Sequence, residues 1–170
     1  MKKFKTVIHV LSWVLSSFIF LLAIALVIAF SVGFRIFCIQ TGSMEPNYPV
    51  GAMIFVKPFE FDALSVGDVI TFYSDADKKT VVVTHRVVSI DKDTQEIETK
   101  GDNNDTADFS PTLYSDVIGR VEYMIPYAGY PVLFVQTTAG KIITINAFLL
   151  VFLAGAVVRY FFDDDEEEEE

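Results

Sequence analysis

Between Val7 and Gly33 the chain reads VIHVLSWVLSSFIFLLAIALVIAFSVG, without a single charged residue and with His9 as its one histidine. A helix needs roughly 20 apolar residues to cross a bilayer, and this run is longer. Lys2, Lys3 and Lys5 come just before it. A secretory leader also begins cationic, but its apolar stretch is only about 7 to 15 residues. The run is too long for a leader, so the expectation is an uncleaved anchor, transmembrane helix 1 over 7–33. A second run, IITINAFLLVFLAGAVVRYFF, predicts transmembrane helix 2 over 142–162, with Arg159 near enough to its end to snorkel toward headgroups. The lysine bias puts residues 1–6 in the cytoplasm, the middle of the chain outside and the C-terminus back inside, although Lys141 is a small mark against that orientation. Residues 163–170, DDDEEEEE, then form an acidic cytoplasmic tail, and acidic residues weigh little in the orientation rule.

That tail dominates the charge. The net charge is -10, and setting aside the eight acidic residues 163–170 leaves only -2. Nothing resembles a basic face for nucleic acid, so no nucleic-acid partner is expected. A single cysteine, Cys38, excludes a disulfide framework and a multi-cysteine metal site, and at the membrane boundary it reads as a buried structural thiol. Between the spans, residues 35–140 amount to one small domain. Its apolar runs are short and β-branched, which predicts strands over 52–57, 68–73, 80–90, 95–99 and 116–125. Loops are expected where Pro and Gly cluster, over 46–51, 58–67, 101–111 and 126–131. No helical period stands out here. The expected fold is mainly β, a small antiparallel barrel or coiled sheet close to the membrane and flanked by the two helices.

The polar loop QTGSMEPNYP, residues 40–49, lies close after the first span and carries Ser43. A linker would explain its glycine and prolines without needing the serine. A serine hydroxyl becomes a useful nucleophile only when a base takes its proton, and that base usually needs a third group to orient it. The domain holds one histidine, His85, in TVVVTHRVVSI, and taken alone a histidine in such a strand is more often structural than catalytic. The carboxylates in a polar loop are Asp102, Asp105 and Asp108, in KGDNNDTADFSP. By itself that loop reads as an Asx-turn segment or a weak cation site, and it lacks the spacing of a calcium-binding EF-hand.

Four motifs in order give these residues a common meaning. TGSMEP at 41–46 resembles the nucleophile motif of type I signal peptidases, GDVITF at 67–72 their following strand, and GDNN at 101–104 their last motif. The segment THRVV at 84–88 has histidine where the common bacterial form has a lysine base. That is the mark of the endoplasmic-reticulum and archaeal type, also found in some Gram-positive bacteria. The resemblance covers about Gln40 to Gly119 and implies Ser43 as nucleophile, His85 as general base, Asp108 as its orienter and Asp102 as close support. It also implies an oxyanion hole from the Ser43 backbone N–H and the Thr41 hydroxyl, with Asp105 an ordinary loop residue. Arg86 either fixes the geometry of the base or is an exposed strand arginine.

The activity the resemblance implies is removal of N-terminal signal peptides after small-residue, A-x-A-like sites, with no cofactor and no metal. Implied partners are signal-peptide-bearing preproteins, membrane lipid, and subunits of a secretion channel or peptidase complex. The implied location is a prokaryotic plasma membrane, multi-pass, with the β domain on the extracytoplasmic face; the alternative is the endoplasmic-reticulum membrane with that domain in the lumen. The alternative functions are a catalytically dispensable assembly factor for surface fibres and a processing enzyme dedicated to a few clients. A self-cleaving repressor of the LexA-like group shares a serine-protease β core, but it would need a lysine base and a DNA-binding domain.

Overall fold

The computed structural model describes residues 2–74 and 80–162; the expected acidic tail, 163–170, lies outside the described residues. The chain begins with helix α1, Lys2–Ser31. It then runs through strands β1 (Arg35–Cys38), β2 (Met53–Lys57), β3 (Val69–Tyr73), β4 (Val82–Asp91), β5 (Glu96–Lys100), β6 (Thr112–Leu113) and β7 (Val117–Ile125). Helices α2, Tyr130–Gln136, and α3, Thr138–Phe162, follow.

At 30 residues α1 is about 45 Å long, more than a hydrocarbon core is thick. It ends where Gly33 takes a φ of +92, which only glycine adopts without strain. There Phe34 N–H donates to the Ala29 carbonyl and Gly33 N–H to that of Phe30, a Schellman cap that turns the chain out of the helix and into β1. Within α1 and α3, the segments Trp13–Ser31 and Thr138–Gly155 are long and apolar enough to cross a membrane.

The seven strands form one sheet in the order β1-β2-β7-β3-β4-β5-β6, every neighbouring pair antiparallel. The ladder shifts register between Phe55 and Val56, between Thr71 and Phe72, and between Val87 and Ser89. Such bulges sharpen local twist and let the sheet coil. Two apolar clusters result. One is built on Ile39, Ala52, Ile54, Val56 and Ile118, the other on Leu64, Ile70, Phe72, Val87 and Ile97. Truncating Ile54, which is fully buried, to alanine is expected to cost about 2 to 5 kcal/mol, seen as a lowered denaturant midpoint in detergent solution. A midpoint unchanged from wild type would mean that this cluster does not support the sheet.

The mainly antiparallel β architecture with apolar helices at both ends agrees with the sequence, and the differences lie at its margins. Two short strands, β1 and β6, were not anticipated. RIFC in β1 follows directly on an apolar run, so its composition cannot be told from a helix end, and β6 is only two residues long. The expected loop over 126–131 gives way at Tyr130 to α2, with Pro131 in the first turn, where a missing N–H costs nothing. The second apolar helix starts at Thr138, four residues before the expected position. Thr137 explains that start: its hydroxyl donates to the Phe134 carbonyl at 2.8 Å and accepts the Gly140 N–H at 2.9 Å, so it closes α2 and caps α3. Lys141, expected on the outer side of the span, lies inside the first turn of the helix. Cys38 is half-buried, and burial pushes its thiol up from the ordinary value.

Candidate active site

The nucleophile loop leaves β1 and closes on a 3-10 turn, Gly42–Met44, entered from an extended Thr41. Glu45 N–H donates to the Gly42 carbonyl, and Tyr48 N–H to that of Met44. Met44 is almost completely buried and pins the turn to the domain. Ser43 stands beside it, half-buried.

A second loop holds this turn from behind. Asn103 donates its backbone N–H to the Ser43 carbonyl at 2.8 Å and its side-chain amide to the Gly42 carbonyl at 3.2 Å. The two backbones come so close that a Cβ on Gly101 would lie 2.6 Å from the Ser43 oxygen. Glycine at the head of GDNN is therefore a packing requirement.

His85 comes from the middle of β4, on the same face as Val83 and Val87. It is 8% exposed and meets the Phe72 ring edge-on at 6.5 Å. Its Nε2 lies 3.1 Å from Ser43 Oγ and its Nδ1 lies 2.6 Å from Asp108 Oδ2. The three expected residues, far apart in sequence, form one continuous chain of hydrogen bonds. With Nδ1–H donating to the carboxylate, Nε2 is left as the acceptor for the serine proton. Thr41 Oγ1 is 3.4 Å from Ser43 Oγ, on the exposed side of the loop. The Ser43 N–H opens the 3-10 turn, where leading donors find no acceptor inside the turn.

The hydrogen bonds of Asp102 run elsewhere, to Arg86 and Asn47. Consecutive strand residues point to opposite faces, and Asp102 takes the face of Arg86. Arg86 Nε and Nη2 donate to its two oxygens, both at 2.7 Å, and Asn47 of the nucleophile loop donates at 2.8 Å. Those guanidinium bonds hold the Asp102 carboxyl below the usual carboxylate range. Arg86 also donates to the Gly67 carbonyl at 2.8 Å. It is thus not a free, exposed strand arginine; its side-chain bonds tie β4 to two loops. Asp105 is exposed, as a loop residue should be, and its carbonyl accepts from Lys100.

Sequence reasoning missed Thr99. Its hydroxyl donates to Asp108 Oδ2 at 2.6 Å, and its carbonyl accepts the Asp108 N–H at 2.8 Å. The signal was present: Ile97 and Thr99 alternate as the buried positions of β5, and a polar side chain on a buried face needs a partner. Asn47 and Asn103 were missed because their partners are distant in sequence. A cavity of about 500 Å³ abuts His85 and Asp108, walled by Phe72, Val83, Pro111 and Leu113. Among the described residues, no group of three or more His, Cys, Asp or Glu is placed to hold a metal ion.

Arrangements of this kind occur in serine hydrolases on several unrelated folds, so geometry alone does not choose among them. Known proteins narrow the choice. The family described as signal peptidase, peptidase S26, matches residues 10–106. Signal peptidase I W of Bacillus subtilis (strain 168) is 42% identical over 94 residues, covering 54% of this chain and 47% of that protein. The signal peptidase complex catalytic subunit SEC11C of Homo sapiens is 32% identical over 103 residues, covering 54% and 52%. The corresponding SEC11 subunit of Candida tropicalis is 32% identical over 104 residues, covering 54% and 60%. The chain spans about half the length of the curated relatives it matches. Since the family match takes in more than half of the chain, including the Ser43 turn, the His85 strand and the GDNN loop that braces them, the chain belongs to the signal peptidase family, peptidase S26.

Proposed function

We propose that the chain is a membrane-bound serine endopeptidase that removes N-terminal signal peptides from secreted or membrane preproteins after small-residue, A-x-A-like sites. The observation that carries this reading is the unbroken path from Ser43 Oγ through His85 to Asp108, with bonds of 3.1 and 2.6 Å. In this reading His85 Nε2 takes the Ser43 proton as Oγ attacks the scissile carbonyl carbon. The Ser43 N–H and the Thr41 hydroxyl then donate to the oxyanion of the tetrahedral intermediate. As the intermediate collapses, the C–N bond breaks, His85 gives its proton to the leaving amine, and the signal peptide remains as an ester on Ser43. Water attacks that ester with His85 again as base, which restores the serine. Asp108 keeps Nδ1 protonated and stabilises the imidazolium. Asp102 acts one step removed, holding the nucleophile loop through Asn47 and β4 through Arg86.

The two apolar helices supply the setting. By the lysine bias at 2–5 the β domain faces the extracytoplasmic side of a prokaryotic plasma membrane, and the lumen is the equivalent side of an endoplasmic-reticulum membrane. A signal peptide leaving the bilayer would meet Ser43 a short distance beyond the end of α1 and lie extended beside the strands. Other subunits of a peptidase complex are a further proposed partner, suggested by the relatives described as catalytic subunits of one.

The experiment is cleavage of a preprotein by the full chain in detergent or vesicles, with the new N-terminus read by mass spectrometry. A substrate with alanine at the first and third positions before the cut should be processed there. Tyrosine at the first position should lower the rate by about 100-fold. Cleavage indifferent to the size of that residue would contradict the assignment.

A further inference from the structure

We propose that Thr99 is a positioning residue for this reaction, holding the Asp108 carboxylate at the one orientation in which it can serve His85. The inference rests on the Ser43–His85–Asp108 reading and adds a fourth member, acting through Asp108 and not on substrate.

Asp108 sits in the long loop between β5 and β6, where no strand ladder fixes its backbone. Thr99 replaces that ladder at both ends of the residue. Its carbonyl takes the Asp108 N–H at 2.8 Å and its hydroxyl donates to Oδ2 at 2.6 Å. The direction of the second bond follows from chemistry, because an ionised carboxylate only accepts. The oxygen that Thr99 holds is the same Oδ2 that meets His85 Nδ1 at 2.6 Å. Rotation of the carboxylate would therefore break both bonds together. Thr99 itself has no exposed surface. A valine would fill the same space without a buried hydroxyl to satisfy, so packing alone does not call for threonine here.

The test separates donor from shape. Thr99→Ser keeps the hydroxyl and loses a methyl group; Thr99→Val keeps the shape and loses the donor. With a quenched fluorescent peptide carrying an A-x-A site, Thr99→Val is expected to lower kcat about 10- to 100-fold with KM nearly unchanged, the loss of one hydrogen bond to a charged group. Thr99→Ser should stay within about threefold of wild type. Because Thr99 acts through Asp108, adding Thr99→Val to Asp108→Ala should cost nothing more. Circular dichroism melts of each variant separate folding loss from kinetic loss. A serine variant as impaired as the valine one, or an additive double variant, would overturn the proposal and leave a packing role. Ser43→Ala, run alongside, tells this failure from failure of the parent reading: if Ser43→Ala still cleaves, the triad itself is wrong.

Discussion

Replacing His85 with alanine is expected to lower kcat by about 10,000- to 1,000,000-fold, the range seen when a serine enzyme loses its base. The domain offers no second histidine: the other one, His9, belongs to α1, the apolar helix before the domain. Among the described residues, the hydrogen-bond partners of Ser43 Oγ are His85 Nε2 and Thr41 Oγ1. A threonine hydroxyl does not accept a proton at neutral pH, so the serine would be left at its intrinsic, very weak nucleophilicity. Truncation also empties space against Phe72, and His85→Gln, which fills more of it, guards against mistaking misfolding for lost catalysis. Both variants should melt cooperatively and both should be inactive. If a well-folded His85→Gln variant kept a tenth of the wild-type rate, another group would have to be the base.

The second large effect is expected at Asp108. Asp108→Asn keeps the volume and removes the charge, and in a triad of this geometry the loss is about 10,000-fold in kcat. The cause is the tautomer. An asparagine amide N–H can donate to Nδ1, which favours the imidazole carrying its proton on Nε2, where it can no longer accept from Ser43. Asp102→Asn should behave differently, since its carboxylate pairs with Arg86 and Asn47. That variant weakens the brace between β4 and the nucleophile loop, and its signature is a lowered melting temperature with a milder rate loss. Equal kcat losses for the two asparagine variants at unchanged stability would contradict this division of roles.

The division bears on how much of the site could be read from the sequence. Ser43 and His85 were legible because each lies in a short motif whose residue types serve one chemistry, and Asp108 only through the resemblance, which sets the third carboxylate six residues beyond Asp102 of GDNN. Asp102 was legible as a site residue but not in its partner. Strand alternation places Arg86 opposite His85, yet only the folded loops show that Asp102 lies on the Arg86 face. Thr99 was hidden for another reason: threonine is ordinary in a strand, and its importance lies in a bond to a residue nine positions later. The fold divides similarly. The central strands β2, β3, β4, β5 and β7 carry the apolar, β-branched runs of a buried sheet. Strand β1 and the start of α3 were obscured by adjoining apolar helices, where only Gly33 and Thr137 mark the boundaries. Both marks depend on backbone conformation, a φ of +92 in one case and a doubly bonded hydroxyl in the other.

The most direct test of the account is to incubate the full chain, wild type and Ser43→Ala, in lipid vesicles with a preprotein carrying an A-x-A site, and to follow the new N-terminus by mass spectrometry. The account predicts a single cut after the small residue by the wild type and none above background by Ser43→Ala, whose fold should be unchanged because Met44 and the Asn103 bonds to the turn do not involve the hydroxyl. Processing by Ser43→Ala at the wild-type rate would contradict it.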